Sequence, residues 1–407
     1  MGAPEVVVVG AGPAGALAAM ILARAGVSVT LLDRAQFPRH KLCGDTVNPG
    51  SLALLDKYSL GTAVRGRALE ITGMTVTGPR CASVSADYPR GLHGAAITRR
   101  DLDPLLVDAA VAAGARFEPG VHVRAPEMDG GGRVAGVRVQ RANGDVVRAR
   151  LVIAADGRAS HLGAALGMTA FAARPKRWAF GAYFEGVRGL TPRGEMHIRG
   201  DGYLGIAPLP GGIANVCLVR ERRGDGPAGT GRSGRTSAWR AGSAGPETLN
   251  EAVARDPVLR ERFRGAIRVS GVTVLGPLAV DANAAGAPGL LLAGDAAGFV
   301  DPMTGDGLRF ALRGAELAAD AALAELSSGV PAYEKLFRAR ANEFRSKWRI
   351  NRGLRALVGS PRALGVAARI ARHWTAPVEY LIGIAGDVNL MTSDLRPLTS
   401  DPLTSDL

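Results

Sequence analysis

The feature that most constrains the fold is a glycine turn near the start of the chain. Four valines, residues 6–9, precede the sequence GAGPAG at residues 10–15, which opens a run of small residues. Gly10 permits a tight turn, Gly12 lets a pyrophosphate approach the backbone, and Gly15 lets the helix pack closely on the strand. Because the helix N-terminus also presents free N–H groups to an anion, the pattern predicts a dinucleotide-binding βαβ unit. The predicted phosphate contacts are Gly10, Gly12, Pro13, Ala14 and Gly15.

The second predicted strand ends in an acidic residue, Asp33. Its carboxylate can accept hydrogen bonds from a ribose 2′-hydroxyl, which favours an adenosine ribose without a 2′-phosphate. Arg34 follows it directly and is predicted as a further cofactor contact. This unit by itself fits both FAD and NAD, so the distinction depends on later segments.

Two later apolar runs also end in short polar turns. Residues 151–155 are followed by Asp-Gly at 156–157, and residues 290–293 by Gly-Asp at 294–295. A glycine-rich segment, residues 298–307, then leads into a predicted helix. Each turn alone could be an ordinary strand end, but together and in this order they indicate one site.

The composition indicates a packed globular protein. A chain of 407 residues, 47% of them apolar, is long enough for two or three cores. The net charge of +13 is spread along the chain without a basic block interleaved with aromatics, so no nucleic-acid partner is predicted. Three cysteines without C-x-x-C spacing predict neither a disulfide framework nor a metal site, which fits a reducing cytoplasm. No run approaches the ~20 apolar residues that span a bilayer.

The three segments together resemble the FAD-dependent oxidoreductases with the para-hydroxybenzoate hydroxylase fold, over about residues 4–330. The resemblance implies that FAD is the cofactor and that Asp295 binds its ribityl chain. It also implies that Arg100 lies close to the FAD phosphates. The turn before the late helix would direct N–H groups at the flavin edge where negative charge develops on reduction. The cofactor contacts implied by these segments are Asp156, Gly157, Gly294, Asp295, Pro302, Gly305, Asp306 and Gly307.

Within that fold, two motifs are similar to the geranylgeranyl reductase family. Residues 38–45, PRHKLCGD, match its P-x-x-K-x-C-G segment, and residues 298–307 match its flavin-contacting loop. Gly298 stands where aromatic hydroxylases of this fold usually carry a histidine. Flavin-dependent halogenases share part of the late loop, but their W-x-W-x-I-P segment is absent from the sequence. Residues 202–208, GYLGIAP, depart from the reductases' G-Y-x-W-x-F-P strand by lacking its tryptophan.

The predicted architecture is α/β. It combines a Rossmann-type FAD-binding domain with a β-meander, an antiparallel-sheet substrate domain and a C-terminal helical segment. The predicted limits are 1–75, 96–168 and 275–330 for the FAD-binding domain, 76–95 and 169–274 for the substrate domain, 331–390 for the C-terminal helices and 391–407 for a flexible tail.

Two stretches of the sequence allow more than one interpretation. Residues 220–246, rich in Gly, Ser, Arg and Thr, are typical of a mobile insertion. Residues 354–384 mix apolar residues with arginines. They fit a helical cap on the substrate domain, which we favour, or peripheral contact with a membrane. The sequence does not indicate an oligomeric state.

The candidate catalytic residues are Cys43, Lys41 and Tyr203. The resemblance places Cys43 and Gly44 beside the flavin, where the thiol could shape the pocket or donate a proton. A lone cysteine is as often a buried space-filler. Lys41 fits a proton source or an anion contact, but also a solvent-facing loop residue. For Tyr203, as for His197, a place in the substrate pocket and a packing role remain open.

These observations predict an FAD-dependent oxidoreductase in the cytoplasm. The main hypothesis is reduction of a carbon–carbon double bond in a small hydrophobic, prenyl- or polyketide-like substrate by hydride from reduced flavin. The alternative is a monooxygenase that hydroxylates or epoxidises an aromatic or polyketide-like substrate, because fold does not determine function. Only one dinucleotide fingerprint is found. NAD(P)H or a separate reductant would therefore visit transiently.

Overall fold

The fold is seen in a computed structural model, which describes residues 3–79, 82–140, 145–173, 177–200, 202–221, 244–300, 303, 305–374 and 376–386. Several predictions lie outside these described residues. They concern Pro302, most of the stretch at 220–246 and the tail at 391–407. The predicted domain limits stay a prediction.

The described residues form strands and helices in the alternation expected of an α/β protein. The strands are β1 Val6–Val9, β2 Val29–Asp33, β3 Thr46–Val47, β4 Leu69–Ile71, β5 Gly73–Thr77, β6 Ser83–Asp87, β7 Gly94–Ala96, β8 Arg116–Pro119, β9 His122–Met128, β10 Val134–Gln140, β11 Val146–Arg148, β12 Leu151–Ala154, β13 Thr169–Phe171, β14 Arg177–Glu185, β15 Arg193–Arg199, β16 Gly202–Pro208, β17 Ile213–Glu221, β18 Ile267–Arg268, β19 Thr273–Leu275, β20 Val280–Ala282, β21 Gly286–Ala287 and β22 Leu290–Leu292. The helices are α1 Pro13–Arg24, α2 Pro49–Lys57, α3 Gly61–Arg65, α4 Arg99–Ala112, α5 His161–Ala165, α6 Ala244–Arg255, α7 Pro257–Arg262, α8 Gly307–Ser328, α9 Tyr333–Gly359, α10 Pro361–His373 and α11 Ala376–Ala385.

The first layer is a six-stranded sheet in the order β21-β22-β12-β1-β2-β8. All its pairs are parallel except β21–β22. The four valines of β1 are fully or almost fully buried because alternate residues pack on opposite sides. Val6 and Val8 contact a core shared with α1, α4 and α8, and Val7 and Val9 contact the meander β9–β11. The predicted Rossmann-type sheet with a meander is therefore confirmed.

The second layer is an eight-stranded, mostly antiparallel sheet built from β5, β6 and β14–β19. One of its faces carries Leu204, Ile206 and Val216, which form a core with α6 and α7. The other face carries Tyr203 and Cys217 and forms a cluster with residues of the late loop and of α9. This second face is turned toward the first layer, so the substrate-side sheet closes over the dinucleotide-binding unit.

The C-terminal helices connect the two layers. Helix α9 packs against α8, and Leu354 of α9 joins the cluster that contains Tyr203. Helix α11 reaches β6, where Ile382 and Tyr88 share a core. Asn48 donates a hydrogen bond to the carbonyl of Ala385 over 2.9 Å. Within the described part of the chain, no helix combines the length and apolar character needed to cross a membrane.

Candidate functional site

Two adjoining cavities lie between the sheets. The large cavity, about 190 Å³, extends from the N-terminus of α1 to the substrate-side sheet. The side cavity, about 100 Å³, lies against β15–β17. Both are lined by Gly44, Thr46, Cys217 and Gly305. The segment around Gly44 therefore forms part of the wall between them.

The glycine turn shapes the end of the large cavity as the sequence predicts. Gly10 has φ +97°, and a β-carbon there would overlap the carbonyl oxygen of Ala155. A β-carbon at Gly15 would overlap the carbonyl oxygen of Gly10. Gly12 differs, because its β-carbon would clash with nothing and would project toward two guanidinium groups. Gly12, Pro13 and Ala14 line the cavity, and Gly10 and Gly15 determine its shape.

Two arginines stand opposite the N-terminus of α1. The Nη2 atoms of Arg39 and Arg99 would lie 3.5 Å and 3.7 Å from a β-carbon at Gly12. Arg99 makes a bidentate pair with Asp103 at 2.6 Å and 3.0 Å, and Arg39 contacts the same carboxylate at 3.1 Å. Arg39 Nη2 also lies 3.8 Å from the carboxylate of Asp33, so the two cations face two carboxylates. The buried Nε of Arg39 has no hydrogen-bond partner among the described residues. A free guanidinium donor next to a helix N-terminus fits a pyrophosphate.

Arg99, and not the predicted Arg100, lines the large cavity beside the N-terminus of α1. Arg99 is buried and lines the large cavity, whereas the side chain of Arg100 is exposed. The cause is the start of α4, where the hydroxyl of Thr98 accepts a hydrogen bond from the Asp101 N–H. That cap sets the helical phase, so Arg99 lies on the inner face with Asp103 four residues later.

Asp33 lies buried at the end of β2, as expected of a ribose-binding carboxylate. Its oxygens accept hydrogen bonds from the backbone N–H of Ala11 at 2.7 Å and of Ala35 at 2.8 Å. These bonds fix the carboxylate beside the glycine turn. Arg34, by contrast, is exposed, and neither Asp33 nor Arg34 is among the residues that line the large cavity.

The later turns converge on the same cavity, although not with every residue predicted. Gly157, Gly294, Asp295, Gly305 and Gly307 line it. Asp156 instead turns to α5, where it accepts a hydrogen bond from the His161 N–H over 2.9 Å. The carboxylate of Asp306 accepts from Lys347 over 2.6 Å and is buried away from the cavity. Local capping and pairing therefore take these two carboxylates out of the lining.

The predicted catalytic residues lie at three different places. Lys41 is half-buried in the large cavity, and burial, with the charge of Arg99, lowers the pKa of its ammonium group. Cys43 lines the same cavity, and burial raises the pKa of its thiol. Tyr203 is buried in the side cavity. The structure thus brings Lys41 and Cys43 together and places Tyr203 beyond the wall.

His197 does not line either cavity. Its imidazole is within 2.9 Å of both Thr77 and Glu195. Glu195 in turn receives two hydrogen bonds from Arg262, and His197 pairs across strands with Leu204. Leu204 belongs to the face covered by α6 and α7. His197 is therefore part of a buried polar cluster on the far side of the sheet.

Sequence reasoning missed a buried network next to Cys43. The Oδ2 atom of Asp45 accepts hydrogen bonds from the Tyr183 hydroxyl at 2.7 Å and from the Asn215 amide at 2.6 Å. Asn215 also lines the side cavity. The partners lie 138 and 170 residues from Asp45 in the sequence. The only sequence signal was the position of Asp45 at the end of the PRHKLCGD segment.

Comparisons with known proteins agree with this site. A family model described as an FAD binding domain matches residues 3–198. The menaquinone reductase of Mycolicibacterium smegmatis is 30% identical, over 96% of this chain and 92% of its own length. Digeranylgeranylglycerophospholipid reductase 1 of Methanopyrus kandleri is 34% identical, over 78% of this chain and 80% of its own.

Solved structures share the fold at lower identity. The flavin-dependent brominase Bmp2 has a TM-score of 0.78 and 18% identity, covering 94% of this chain and 93% of its own. The myxobacterial chondrochloren halogenase CndH has a TM-score of 0.76 and 23% identity, covering 95% of this chain and 91% of its own. The fold, the glycine turn and the reductase relatives lead to one conclusion. This chain is an FAD-dependent oxidoreductase with the para-hydroxybenzoate hydroxylase fold and belongs with the geranylgeranyl reductase family.

Proposed function

We propose that this protein reduces a carbon–carbon double bond in a small hydrophobic substrate. The observation that carries the proposal is the apolar side cavity, which adjoins the large cavity at Gly44 and Cys217. Its lining includes Met74, Met196, Tyr203, Ile206, Val219 and Met303. Such a surface fits a flexible apolar chain or ring better than a charged metabolite. Relatives named as reductases support the same reaction class.

In this proposal the large cavity holds FAD. Arg39, Arg99 and the α1 N-terminus would bind the pyrophosphate, and Asp33 would bind the adenosine ribose. Asp295 lines the middle of the cavity, where the ribityl chain would pass. Bound and reduced, the cofactor supplies the hydride. The protein's own part is to exclude water, orient the substrate and supply a proton to the second carbon.

Cys43 is the group we propose as proton donor. It lines the large cavity next to Gly44, which forms part of the wall shared with the side cavity. Its raised pKa keeps it as a thiol at neutral pH, and only a thiol can donate a proton. Lys41 lies in the same cavity and would contact an anionic part of the cofactor or of a visiting reductant. A transient reductant, NAD(P)H or a separate protein, remains part of the proposal.

The experiment that tests the reaction class needs no known substrate. The FAD-loaded protein is reduced without oxygen and then mixed rapidly with oxygen while flavin spectra are recorded. A reductase is expected to return directly to oxidised flavin, with or without menadione and geranylgeraniol as apolar probes. A transient flavin intermediate whose lifetime increases when an apolar aromatic probe is added would instead support the monooxygenase alternative. Oxidation of the reduced protein by an apolar alkene without oxygen would support the reductase directly.

We also propose that helix α10 contacts an anionic membrane surface. Val366, Ile370 and Trp374 are 46%, 49% and 63% exposed. Val366 and Ile370 lie four residues apart on one face of the helix, and Trp374 follows directly after the end of the helix. Arg362 and Arg369 are exposed beside this face, an arrangement typical of helices that lie in the headgroup region. Helix α10 follows α9, whose Leu354 packs with Tyr203 of the side cavity, so the contact would bring that cavity near the lipid.

Vesicle co-sedimentation tests this contact with the full chain. Vesicles of phosphatidylcholine with phosphatidylglycerol should bind the protein, and pure phosphatidylcholine should bind it less. The double substitution Val366→Ser with Ile370→Ser should abolish most of the binding. Ile267→Ser is the matched control, because Ile267 is 66% exposed but lies outside α10. Equal binding of the double variant and the control would contradict the proposal, and so would binding to neither vesicle.

A further inference from the structure

The wall between the two cavities contains a carboxylate that the proposed function does not use. Asp45 has no exposed surface and a left-handed backbone with φ +53°. Both of its donors, Tyr183 and Asn215, converge on Oδ2. Its other oxygen, Oδ1, is also buried, and a backbone hydrogen bond from Arg99 lowers the pKa of this carboxyl group. The carboxylate is thus linked to the segment that carries Arg99 as well as to the substrate-side sheet.

The same network holds Cys43 in place. The Asn215 amide that donates to Asp45 also donates to the carbonyl oxygen of Cys43 over 2.7 Å. One residue earlier, Leu42 packs where a side chain at Gly181 would stand. Gly181 and Cys217 are cross-strand partners on β14 and β17. The loop is therefore attached to two neighbouring strands, which fixes the position of the Cys43 sulfur relative to the carboxylate.

Two opposite charges act on the sulfur of Cys43. Burial raises the pKa of the thiol most, the Arg99 guanidinium lowers it, and the Asp45 carboxylate raises it. Hydrogen bonds from the Asp45 backbone and from Arg99 also lower it. The thiol of Cys217, whose pKa burial raises to about 12, and the Tyr183 phenol, whose pKa burial also raises, carry no charge at neutral pH. Lys41, Arg158 and Asp295 also line the large cavity. Arg99 and Asp45 are the charged groups that act most strongly on the pKa of Cys43.

We propose that Asp45 is a positioning residue for Cys43 and that the buried negative charge of Asp45 adds to the effect of burial in keeping the sulfur in the thiol form at the wall between the cavities. Burial raises the pKa of Asp45 to about 6, so the group is mostly ionised at pH 7 and above. The inference rests on the proposed function for the role of the thiol as proton donor. In that role the S–H bond breaks as a C–H bond forms at the second alkene carbon. Arg99 then offsets the charge left on sulfur, and solvent returns the proton.

The test is the titration of Cys43 in the FAD-loaded protein, followed by NMR of cysteine labelled with ¹³C at Cβ. The Cys43 signal is identified from its loss in Cys43→Ala. Asp45→Asn removes the charge and keeps the geometry, because one amide oxygen can accept both donors and asparagine tolerates a left-handed backbone. Tyr183→Phe is the matched control, since it removes a hydrogen bond from the same oxygen and keeps the charge.

In Asp45→Asn, the Cys43 pKa should fall by about half a unit to one unit, which means about three- to tenfold more thiolate at a given pH. Above pH 8 Tyr183→Phe should leave the Cys43 pKa unchanged. An unchanged pKa in Asp45→Asn would overturn the proposal.

Arg99→Gln provides the second test should Asp45→Asn not fold. This substitution removes the positive charge that opposes the Asp45 carboxylate, so the Cys43 pKa should rise. An unchanged pKa would contradict the opposite effects of Arg99 and Asp45 on the sulfur. The titration involves no substrate and no turnover. The reductase proposal could therefore fail in its own experiment without changing this result.

Discussion

The two walls of the large cavity are built in different ways. The phosphate end depends more on short-range pairs: Asp33 accepts a hydrogen bond from the N–H of Ala11, 22 residues away, and Arg99 pairs with Asp103 four residues away. The wall near Cys43 is assembled from distant ones, since Asp45 meets Asn215 across 170 residues. Local motifs can specify the first wall, whereas only the packing of one sheet over the other can specify the second.

This difference decides what each wall can tolerate. At the phosphate end, a substitution acts on one turn and its ligand. At the Cys43 wall, a substitution acts on the contact between two sheets, because Tyr183 and Asn215 belong to the substrate-side sheet and Asp45 follows the glycine-turn unit. The predictions below test this contrast, from the largest expected effect to the smallest.

The largest effect is expected at Arg99. Arg99→Gln should weaken FAD binding by about 10- to 100-fold, since a hydrogen bond to a charged group is worth about 1.5–3 kcal/mol. Arg39 still pairs with Asp103 in this variant, so the fold should persist. FAD affinity measured by flavin fluorescence is the readout. Arg100→Gln is the control with the same chemistry, and a comparable loss there would restore Arg100 as the phosphate contact.

Two alanine substitutions in the glycine turn should separate binding from folding. Gly12→Ala has room in the protein, because the nearest atoms to its β-carbon are 3.5 Å and 3.7 Å away. It should lower FAD affinity and leave the melting temperature of the flavin-free protein nearly unchanged. Gly15→Ala overlaps the Gly10 carbonyl and should cost about 1–3 kcal/mol of stability. Calorimetry and FAD titration together distinguish the two; equal destabilisation by both would contradict the assignment of Gly12.

The sequence predicts more of the phosphate end of the cavity than of the wall near Cys43. Gly12, Asp33, Gly157 and Asp295 were predicted from short motifs at strand ends. The structure places Gly12, Gly157 and Asp295 in the lining of the large cavity and Asp33 beside the glycine turn. Arg99 was missed by one residue, because the cap at Thr98 sets the helical phase and the sequence alone left that phase open. Asp156 and Asp306 were assigned to the cofactor, but nearby N–H and ammonium groups bind them. The Asp45 network could not be derived, since nothing local links residues 45, 183 and 215.

Asp45 should make the stability of the protein depend on pH. Its pKa is about 6 in the folded protein against 3.8 for an ordinary aspartate. The folded state therefore binds more protons than the unfolded state between these values, so stability falls as pH rises through that window. The difference of about two units corresponds to about 3 kcal/mol. Relative to wild type, Asp45→Asn should gain up to that amount between pH 4 and 7. Melting curves in excess FAD that stay parallel across this range would contradict the buried charge.

The smallest effect is expected at Arg34, which the sequence grouped with the cofactor contacts. Its side chain is exposed, whereas that of its neighbour Asp33 is buried. Arg34→Gln should change FAD affinity by less than about twofold, because an exposed charge near a ligand is screened by solvent and salt. Titrations at low and high salt would show whether Arg34 acts at a distance. A large loss of FAD affinity that persists at high salt would mean that the Arg34 side chain folds onto the bound cofactor. The sequence motif would then have located this contact, and the side-chain position in the structure would not.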